Sequence, residues 1–186
     1  MRNIISIYTS FSLFGGAEKV AIDIHEGLKN NFKSSIASFT KYEEINENYC
    51  IKKEEYIKLN FMNLLNLKNS MVLSHHRKMT SILIILNKLF FLNLQIIHIA
   101  HNEFFNLKYF TFFPENIVAV SNKVKYNLIK YFKVKSKIRV IYNGQKEVQI
   151  EKTNLDVNNI NILYPARITS IKAQIQLVKN LKNLIH

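Results

Sequence analysis

Short apolar runs alternate along this chain with longer stretches in which apolar residues recur every three or four positions. The longer stretches are typical of helices and cover about 17–30, 77–92, 122–133 and 171–185. The short runs are typical of buried strands and lie near the following positions: Ile4–Tyr8, Ser35–Phe39, Tyr56–Leu59, Met71–Ser74, Gln95–Ala100, Asn116–Val120, Lys137–Tyr142 and Asn161–Tyr164. Because strands alternate with helices, the pattern predicts an α/β fold with a Rossmann-like parallel sheet flanked by helices.

The junction between the first strand and the first helix carries two adjacent glycines, Gly15 and Gly16. A glycine has no Cβ, so a ligand can approach the backbone closely there, and the free N–H groups of the following helix point toward an anion. The junction therefore predicts a site for a phosphate-bearing ligand. A plain tight turn is the alternative interpretation.

Histidines follow two of the predicted strands. His75 and His76 come after Met71–Ser74, and His101 comes after Gln95–Ala100. The carboxyl ends of parallel strands form the edge where open α/β sheets bind ligands, so we expect His75 and His101 in a cleft. Structural hydrogen bonding is the alternative role. No set of Cys, His and Asp residues has zinc spacing, so no metal and no other cofactor is expected.

Alternation along Gln95–Ala100 assigns its two histidines to opposite faces of the sheet. His98 shares a face with Ala100, whereas His101 shares the other face with Ile99. The only carboxylate near His101 in sequence is Glu103. A single acid gives no paired geometry for glycoside hydrolysis, so we do not expect it to act as a nucleophile.

The net charge is +13, and its densest cationic segment has these members: Lys123, Lys125, Lys130, Lys133, Lys135, Lys137 and Arg139. Val124, Leu128 and Phe132 recur through the same segment at helical spacing. The lysines therefore fit the solvated face of a core helix. An anionic membrane surface is the second interpretation, and nucleic acid is not expected as a partner.

The lone Cys50 cannot form an internal disulfide, and no secretory leader pattern follows Met1. Residues 82–100 form the most apolar stretch, but it contains Asn87, Lys88 and Asn93, which are costly in lipid. We interpret it as a buried helix followed by a buried strand. The expected location is cytoplasmic, with peripheral attachment at the inner face of the cell membrane as an additional hypothesis.

Three segments resemble the family 4 retaining glycosyltransferases, which have the two-domain GT-B fold. Tyr8 to Leu28 is similar to the opening loop and first helix of that family. Residues 117–122, followed by 138–144, look like the end of its first domain, and residues 162–167 are similar to the start of its second. The matches occur in family order and span nearly all of the chain.

The resemblance implies roles for named residues. His101 matches a family histidine near the acceptor and the donor sugar, and Arg167 and Lys172 match two cations that bind the donor diphosphate. Such cations offset the charge that develops on a nucleoside-diphosphate leaving group without a protein-bound metal. The remaining donor- or acceptor-binding residues implied in this way are Gly15, Gly16, His75, Ser121, Asn143 and Gly144.

The same resemblance divides the chain into a GT-B acceptor-side domain (1–146), a linker (147–159) and the incomplete start of a donor-side domain (160–186). It implies sugar transfer from a nucleotide-sugar donor to a surface polysaccharide or a lipid-linked glycan. The acidic sugar-nucleotide motif of the family has no counterpart before His186. We therefore expect no useful transfer by the chain alone. The alternative function is a non-catalytic remnant, or a binding subunit of a split enzyme whose second chain supplies the donor domain.

Overall fold

A computed structural model describes residues 3–144, 163–165 and 173–185. The chain divides into two compact units, Met1–Gln145 and Lys146–His186. Arg167, Lys172 and the linker predicted at 147–159 lie outside the described residues, so the predictions for them stay predictions.

The first unit is built on a sheet of seven parallel strands in the order β3-β2-β1-β4-β5-β6-β7. The strands are β1 (Ile4–Ile7), β2 (Ser34–Ser38), β3 (Tyr56–Lys58), β4 (Met71–Ser74), β5 (Gln95–Ala100), β6 (Asn116–Ala119) and β7 (Lys137–Val140). Ile4 of the interior strand β1 pairs with Ser34 on one side and with Met71 on the other. The predicted fold class, a parallel α/β sheet flanked by helices, is confirmed.

Four helices accompany this sheet: α1 (Gly16–Leu28), α2 (Phe61–Leu65), α3 (Arg77–Leu89) and α4 (Asn122–Lys130). Ser121 caps α4, because its hydroxyl accepts a hydrogen bond of 3.2 Å from the Val124 N–H. The pattern missed α2, which is only 5 residues long. The stretch 82–100 is a helix followed by a strand, as predicted, and no helix in the described ranges is long and apolar enough to cross a bilayer.

The two faces of the sheet are covered differently. On one face, Ile5, Val72 and Ile96 pack under α2 and α3, and Ile117 packs under α4. On the other face, α1 covers β1 and β2, with Ile4 and Leu73 in a smaller cluster beside it. This second face continues past α1 as an apolar groove of about 500 Å³, whose lining includes Leu73, Ile99, Val118 and Ile141.

The polar segment 41–55, which the sequence suggests is an exposed loop, contributes to the core. Tyr49 and Ile51 are buried against Phe11 and Ile36. Their burial is invisible in the pattern because they are isolated apolar residues among Glu, Asn and Lys. This segment consequently fixes the loop that follows β1.

In the second unit, the described residues are 163–165, which have no regular secondary structure, and 173–185. A helix, α5, spans Gln174–Ile185. It confirms the helix expected at about 171–185 over the part that the structure describes.

Candidate functional site

The order of the strands locates a crevice at the carboxyl edge of the sheet. After β1 the chain moves to β2 on one side, and after β4 it moves to β5 on the other. The loops after these two neighbouring strands therefore diverge, and the space between them is where open α/β sheets bind ligands. The loop 8–15 forms one wall of this crevice, and His75 and His76 begin the other.

Two predicted site residues, His75 and His101, meet at this edge. The Nδ1 atom of His75 lies 3.0 Å from Nε2 of His101. Their rings are within 18° of parallel, with centroids 5.3 Å apart. With the nitrogens this close, the rings meet edge to edge through a hydrogen bond. The prediction that these two residues share one cleft is consistent with this contact.

A third residue, Ser6 in the middle of β1, extends the pair into a relay. Its hydroxyl lies 2.8 Å from His75 Nε2 and donates to the carbonyl oxygen of Ala21 in α1, at 3.2 Å. The Ala21 carbonyl can only accept, so we assign the single hydroxyl proton to it, and under this assignment the Ser6 oxygen accepts from His75 Nε2–H. The chain of contacts joins β1, β4 and the loop after β5.

This relay determines the tautomers of both histidines. Because His75 is protonated on Nε2, its Nδ1 atom accepts from Nε2–H of His101. The remaining nitrogen of His101, Nδ1, then carries a lone pair and makes no hydrogen bond to another described residue. His101 is only partly buried, so this lone pair is available to a ligand hydroxyl.

Both rings are neutral at pH 7. Burial lowers the pKa of His101 to about 4. Burial, followed by the nearness of His101 and His98, holds the pKa of His75 well below the usual value for histidine. A buried imidazolium would lack a carboxylate partner here, so the neutral form is favoured.

His98 lies on the opposite face of the sheet, as the alternation predicts. Its Nδ1 atom is 3.1 Å from the Ser74 carbonyl oxygen and 2.8 Å from the Thr80 hydroxyl. Burial lowers the pKa of His98 to about 3. These contacts tie β4, β5 and α3 together, so His98 has the structural role that was the alternative interpretation for histidines at strand ends.

His76 is a site residue that sequence reasoning singled out in its motif but left without a role. Its ring packs edge-on against Tyr8, with centroids 6.3 Å apart, across the crevice between the loops after β1 and β4. Its Nδ1 atom is buried and has no hydrogen-bond partner within the described part of the chain. Burial, together with the charges of Lys78 and Arg77, lowers the pKa of His76. An orphan polar atom in a crevice is a natural contact for a bound ligand.

The glycine junction differs from a strained turn. Gly15 is the N-cap of α1 in an extended conformation, and no described glycine has a positive φ. A Cβ on Gly15 would collide with the Glu18 carboxylate, whereas a Cβ on Gly16 would meet nothing within 4 Å. The absence of a side chain, rather than a special dihedral angle, is therefore what distinguishes both positions.

No side chain caps the amino end of α1, which leaves N–H groups of its first turn without an intrahelical partner. The Gly15 N–H donates to the Tyr49 hydroxyl at 2.8 Å. Glu18 lies in the first turn and folds against Gly15. An anionic ligand at this terminus would have to displace that carboxylate.

Asn143 and Gly144 line the apolar groove beside α1, with Ile141 and Tyr142. The groove contains Leu73 and Ile99, each two residues before a histidine of the relay on the same face. The two predicted site residues Asn143 and Gly144 thus follow β7 on the α1 side, in the groove rather than at the histidine pair. Ser121 is occupied as the cap of α4.

Arg77 fixes the loop after β5. Its guanidinium donates to the backbone oxygen and the side-chain oxygen of Asn106, both at 2.7 Å, and it lies 4.4 Å from the Phe104 ring centroid. Nearby, Glu103 is paired with Lys123 at 3.0 Å. The carboxylate closest to His101 in sequence is thus held by a cation.

One group in the described ranges, His25, Glu26 and Glu55, has ligand atoms within 4.8 Å of one another, as a metal site requires. Lys29 already contacts both carboxylates, with its ammonium 2.7 Å from Glu26 and 3.4 Å from Glu55. We interpret the group as an ion-pair cluster.

No protein-family model and no curated protein sequence matches this chain. Its chemistry must therefore be argued from the site. A neutral imidazole with a tautomer fixed by a relay can hold a hydroxyl in one orientation, and helix N–H groups beside it can hold an anion. These two capabilities together suit a ligand that carries both a sugar and a phosphate.

Proposed function

We propose that this chain is the acceptor-side half of a retaining glycosyltransferase of the family 4 type, with the GT-B fold. The donor is a nucleotide sugar, and the acceptor is a surface polysaccharide or a lipid-linked glycan. The observation that carries the proposal is the relay from Ser6 through His75 to His101, which presents a neutral Nδ1 atom at the crevice beside β1.

In this proposal His101 positions a hydroxyl of the donor sugar or the acceptor. A pKa of about 4 makes its free ring a weak base at pH 7, so its first role is to accept a hydrogen bond. A bound diphosphate would favour the imidazolium by placing negative charge nearby. Donor binding should therefore raise the pKa of His101 and make it a better proton acceptor in the complex.

By the family resemblance, the donor diphosphate is assigned to Arg167 and Lys172, and Gly15 and Gly16 are assigned to donor or acceptor binding. A second chain that supplies more of the donor side remains a candidate partner. Because the family resemblance is the source of this assignment, it needs a direct binding test.

The acceptor also bears on where the chain acts. Lipid-linked glycans are presented at a bilayer, and the exposed lysines of α4, including Lys123 and Lys130, would attract an anionic leaflet. We therefore include peripheral attachment at the inner face of the cell membrane in the proposal. Lys125 is half-buried and contributes less than the sequence pattern suggests.

The test is nitrogen-resolved NMR of the histidine rings in the full chain, titrated with nucleoside diphosphates and nucleotide sugars. The expected result is a perturbation of the His101 resonances, with a rise in its pKa. His101→Ala should weaken binding about tenfold through loss of a hydrogen bond to a charged or polar ligand. Gln95→Ala is the matched control, because Gln95 is exposed at the opposite end of the same strand.

Binding that is unaffected by His101→Ala would contradict the assignment of this residue. Absence of binding to every nucleotide and glycan, by a folded chain, would contradict the glycosyltransferase proposal itself. Binding of a glycan without any nucleotide would favour the alternative, a non-catalytic binding subunit.

A further inference from the structure

The loop between β5 and β6 exposes an unusual amount of aromatic surface. We call residues 104–113 the aromatic loop. Phe105, Tyr109 and Phe110 are exposed to 69%, 86% and 78%. Single exposed apolar residues are common, but contiguous large ones mark a surface that binds a partner or a membrane.

These rings are held in place rather than carried on a loose segment. Arg77 fixes the loop through its two hydrogen bonds to Asn106. Asn127 of α4 binds Phe104 on both sides, since its side chain accepts from the Phe104 N–H and donates to the Phe104 carbonyl oxygen, each at 3.1 Å. The exposed rings are therefore presented to solvent by an anchored backbone.

Cations surround the aromatic loop. The Lys108 ammonium lies 5.6 Å from the Tyr131 ring centroid, and the Lys130 ammonium lies 5.8 Å from that of Tyr126. Phe105 packs edge-on against Tyr131, with centroids 5.5 Å apart, so the loop and the end of α4 form one surface. Tyr126 is also exposed on this helix.

Acidic residues are nearly missing from the same part of the sequence. Between Phe104 and Lys146 the only one is Glu115. Glu103, just before the loop, is neutralised by Lys123. Aromatic rings and lysine stems with cationic ends are the side chains that settle at a bilayer interface, where rings enter the headgroup region and ammonium groups bind anionic lipids.

We propose that the aromatic loop inserts into an anionic lipid surface, with Phe105, Tyr109 and Phe110 as the inserting side chains. Lys108 and Lys130 supply the electrostatic attraction. The loop begins three residues after His101, so insertion would bring the bilayer next to the candidate site. This goes beyond the electrostatic adsorption in the proposed function, and its test requires neither sugar donor nor acceptor.

The chain contains no tryptophan, which permits a direct test. Phe110→Trp introduces a single tryptophan in the loop. Phe91→Trp is the matched control, because Phe91 is 83% exposed but lies in the turn before β5, at the opposite edge of the sheet. Each full-length variant is mixed with vesicles of phosphatidylcholine and phosphatidylglycerol, with and without brominated acyl chains, and with neutral phosphatidylcholine vesicles.

The expected result is a blue shift and strong bromine quenching for Phe110→Trp on the anionic vesicles only. Phe91→Trp should bind equally well and show neither signal. In sedimentation, Phe110→Ser should weaken binding about tenfold, because an aromatic contact with the interface is lost. Phe91→Ser should leave binding unchanged.

Vesicle binding without a blue shift of Phe110→Trp would overturn the proposal in favour of adsorption by charge alone. Lack of binding to any vesicle would overturn it as well and would point to a protein partner for the loop. Neither outcome affects the nucleotide-binding test of the proposed function, so the two proposals can fail separately.

Discussion

Two buried histidine sites at opposite edges of the sheet have different electrostatics. His25 near the amino end of β2 contacts the Ser34 hydroxyl at 2.9 Å and the Glu55 carboxylate at 3.3 Å. His75 at the carboxyl end of β4 is equally buried, but it contacts only Ser6 and a second histidine. One site supplies a carboxylate for an imidazolium, and the other supplies none.

The difference separates stabilisation from ligand binding. Around His25 both ring nitrogens have a partner within the chain, and Lys29 also contacts the Glu55 carboxylate. Around His75 the relay ends at a His101 nitrogen that the described residues leave open. Burial of a histidine therefore does not by itself indicate function, whereas an unfinished hydrogen-bond chain at a ligand-binding edge does.

Acidification should produce the largest effect and should affect the two sites in different pH ranges. The pKa values of His98 and His101 are about 3 and about 4, below the unfolded value of 6.5. Their contribution to stability is complete above pH 6.5, since the unfolded chain binds the extra protons below it. We expect the free energy of unfolding to fall between about pH 6.5 and pH 3. The expected fall is on the order of a few kcal/mol, which is what the pKa shift of His98 corresponds to.

The Glu55 contribution should disappear only at lower pH. Burial raises the pKa of Glu55, but hydrogen bonds and charge from His25 and Lys29 outweigh it and lower the pKa below 4.5. Its stabilisation is present above 4.5 and is lost as the pH falls through the folded-state value. Urea titrations of the full chain from pH 8 to pH 3 check both pH ranges. In the upper range, His98→Gln should flatten the dependence of the free energy of unfolding on pH. A flat profile between pH 6.5 and pH 5 would contradict the neutral assignment of the carboxyl-edge histidines.

His25→Leu should be the most destabilising single change at these two sites. It leaves the partly buried Glu55 carboxylate with fewer partners and removes the Ser34 contact, at a cost of about 3 kcal/mol. Equilibrium urea unfolding at pH 7 measures this. A loss below about 1 kcal/mol would show that the amino-edge cluster is not a structural tie.

His75→Leu should cost less stability, about 1 kcal/mol, because the Ser6 hydroxyl keeps its bond to Ala21 and only the His101 N–H loses a partner. Its effect should appear instead at His101, whose tautomer is no longer fixed. Ring-nitrogen NMR should show a single Nε2–H form in the parent chain and a mixture in the variant. An unchanged tautomer in His75→Leu would contradict the relay.

Much of the sheet was predictable from sequence, and the relay was not. Seven apolar runs matched strands because buried parallel strands are locally apolar throughout, and alternation correctly separated His98 from His101. The pairing of Ser6 with His75 depends on β1 lying next to β4, which local pattern cannot specify. A signal did exist, since Ser6 interrupts an apolar strand with a polar residue that needs a partner.

Tyr49 was missed for the same reason. Its hydroxyl reaches the Gly15 N–H across 34 positions of sequence, from a segment that looks solvated. The orphan nitrogen of His76 likewise follows from tertiary packing against Tyr8. Contacts between neighbouring strands thus determine where site residues on loops lie. The local sequence of such a loop allows these positions but does not specify them.

Gly16→Val should have the smallest effect on stability and still sharpen the comparison between the two edges. A Cβ at Gly16 meets nothing within 4 Å, so the expected change in the free energy of unfolding is within about 0.5 kcal/mol. If ligands bind at the carboxyl edge, the added side chain should nevertheless block nucleotide binding. Gly27→Val is the matched control in the same helix, because that position is equally open. Equal nucleotide affinity in both variants would remove the glycine junction from the site.

The interior place of β1 has a consequence for how the sheet is assembled. It is synthesised before both of its neighbours, β2 and β4, with Ile4 paired to Ser34 and to Met71. At a synthesis rate of about 5–20 residues per second, β4 follows β1 by roughly 3–13 s. During that interval the β1 edge of the nascent β1–β2 pair is open, and the strands that position Ser6, His75 and His101 have not yet met. The relay therefore forms only after β5 has been made, and until β4 pairs with β1 an apolar strand edge is open to pairing elsewhere.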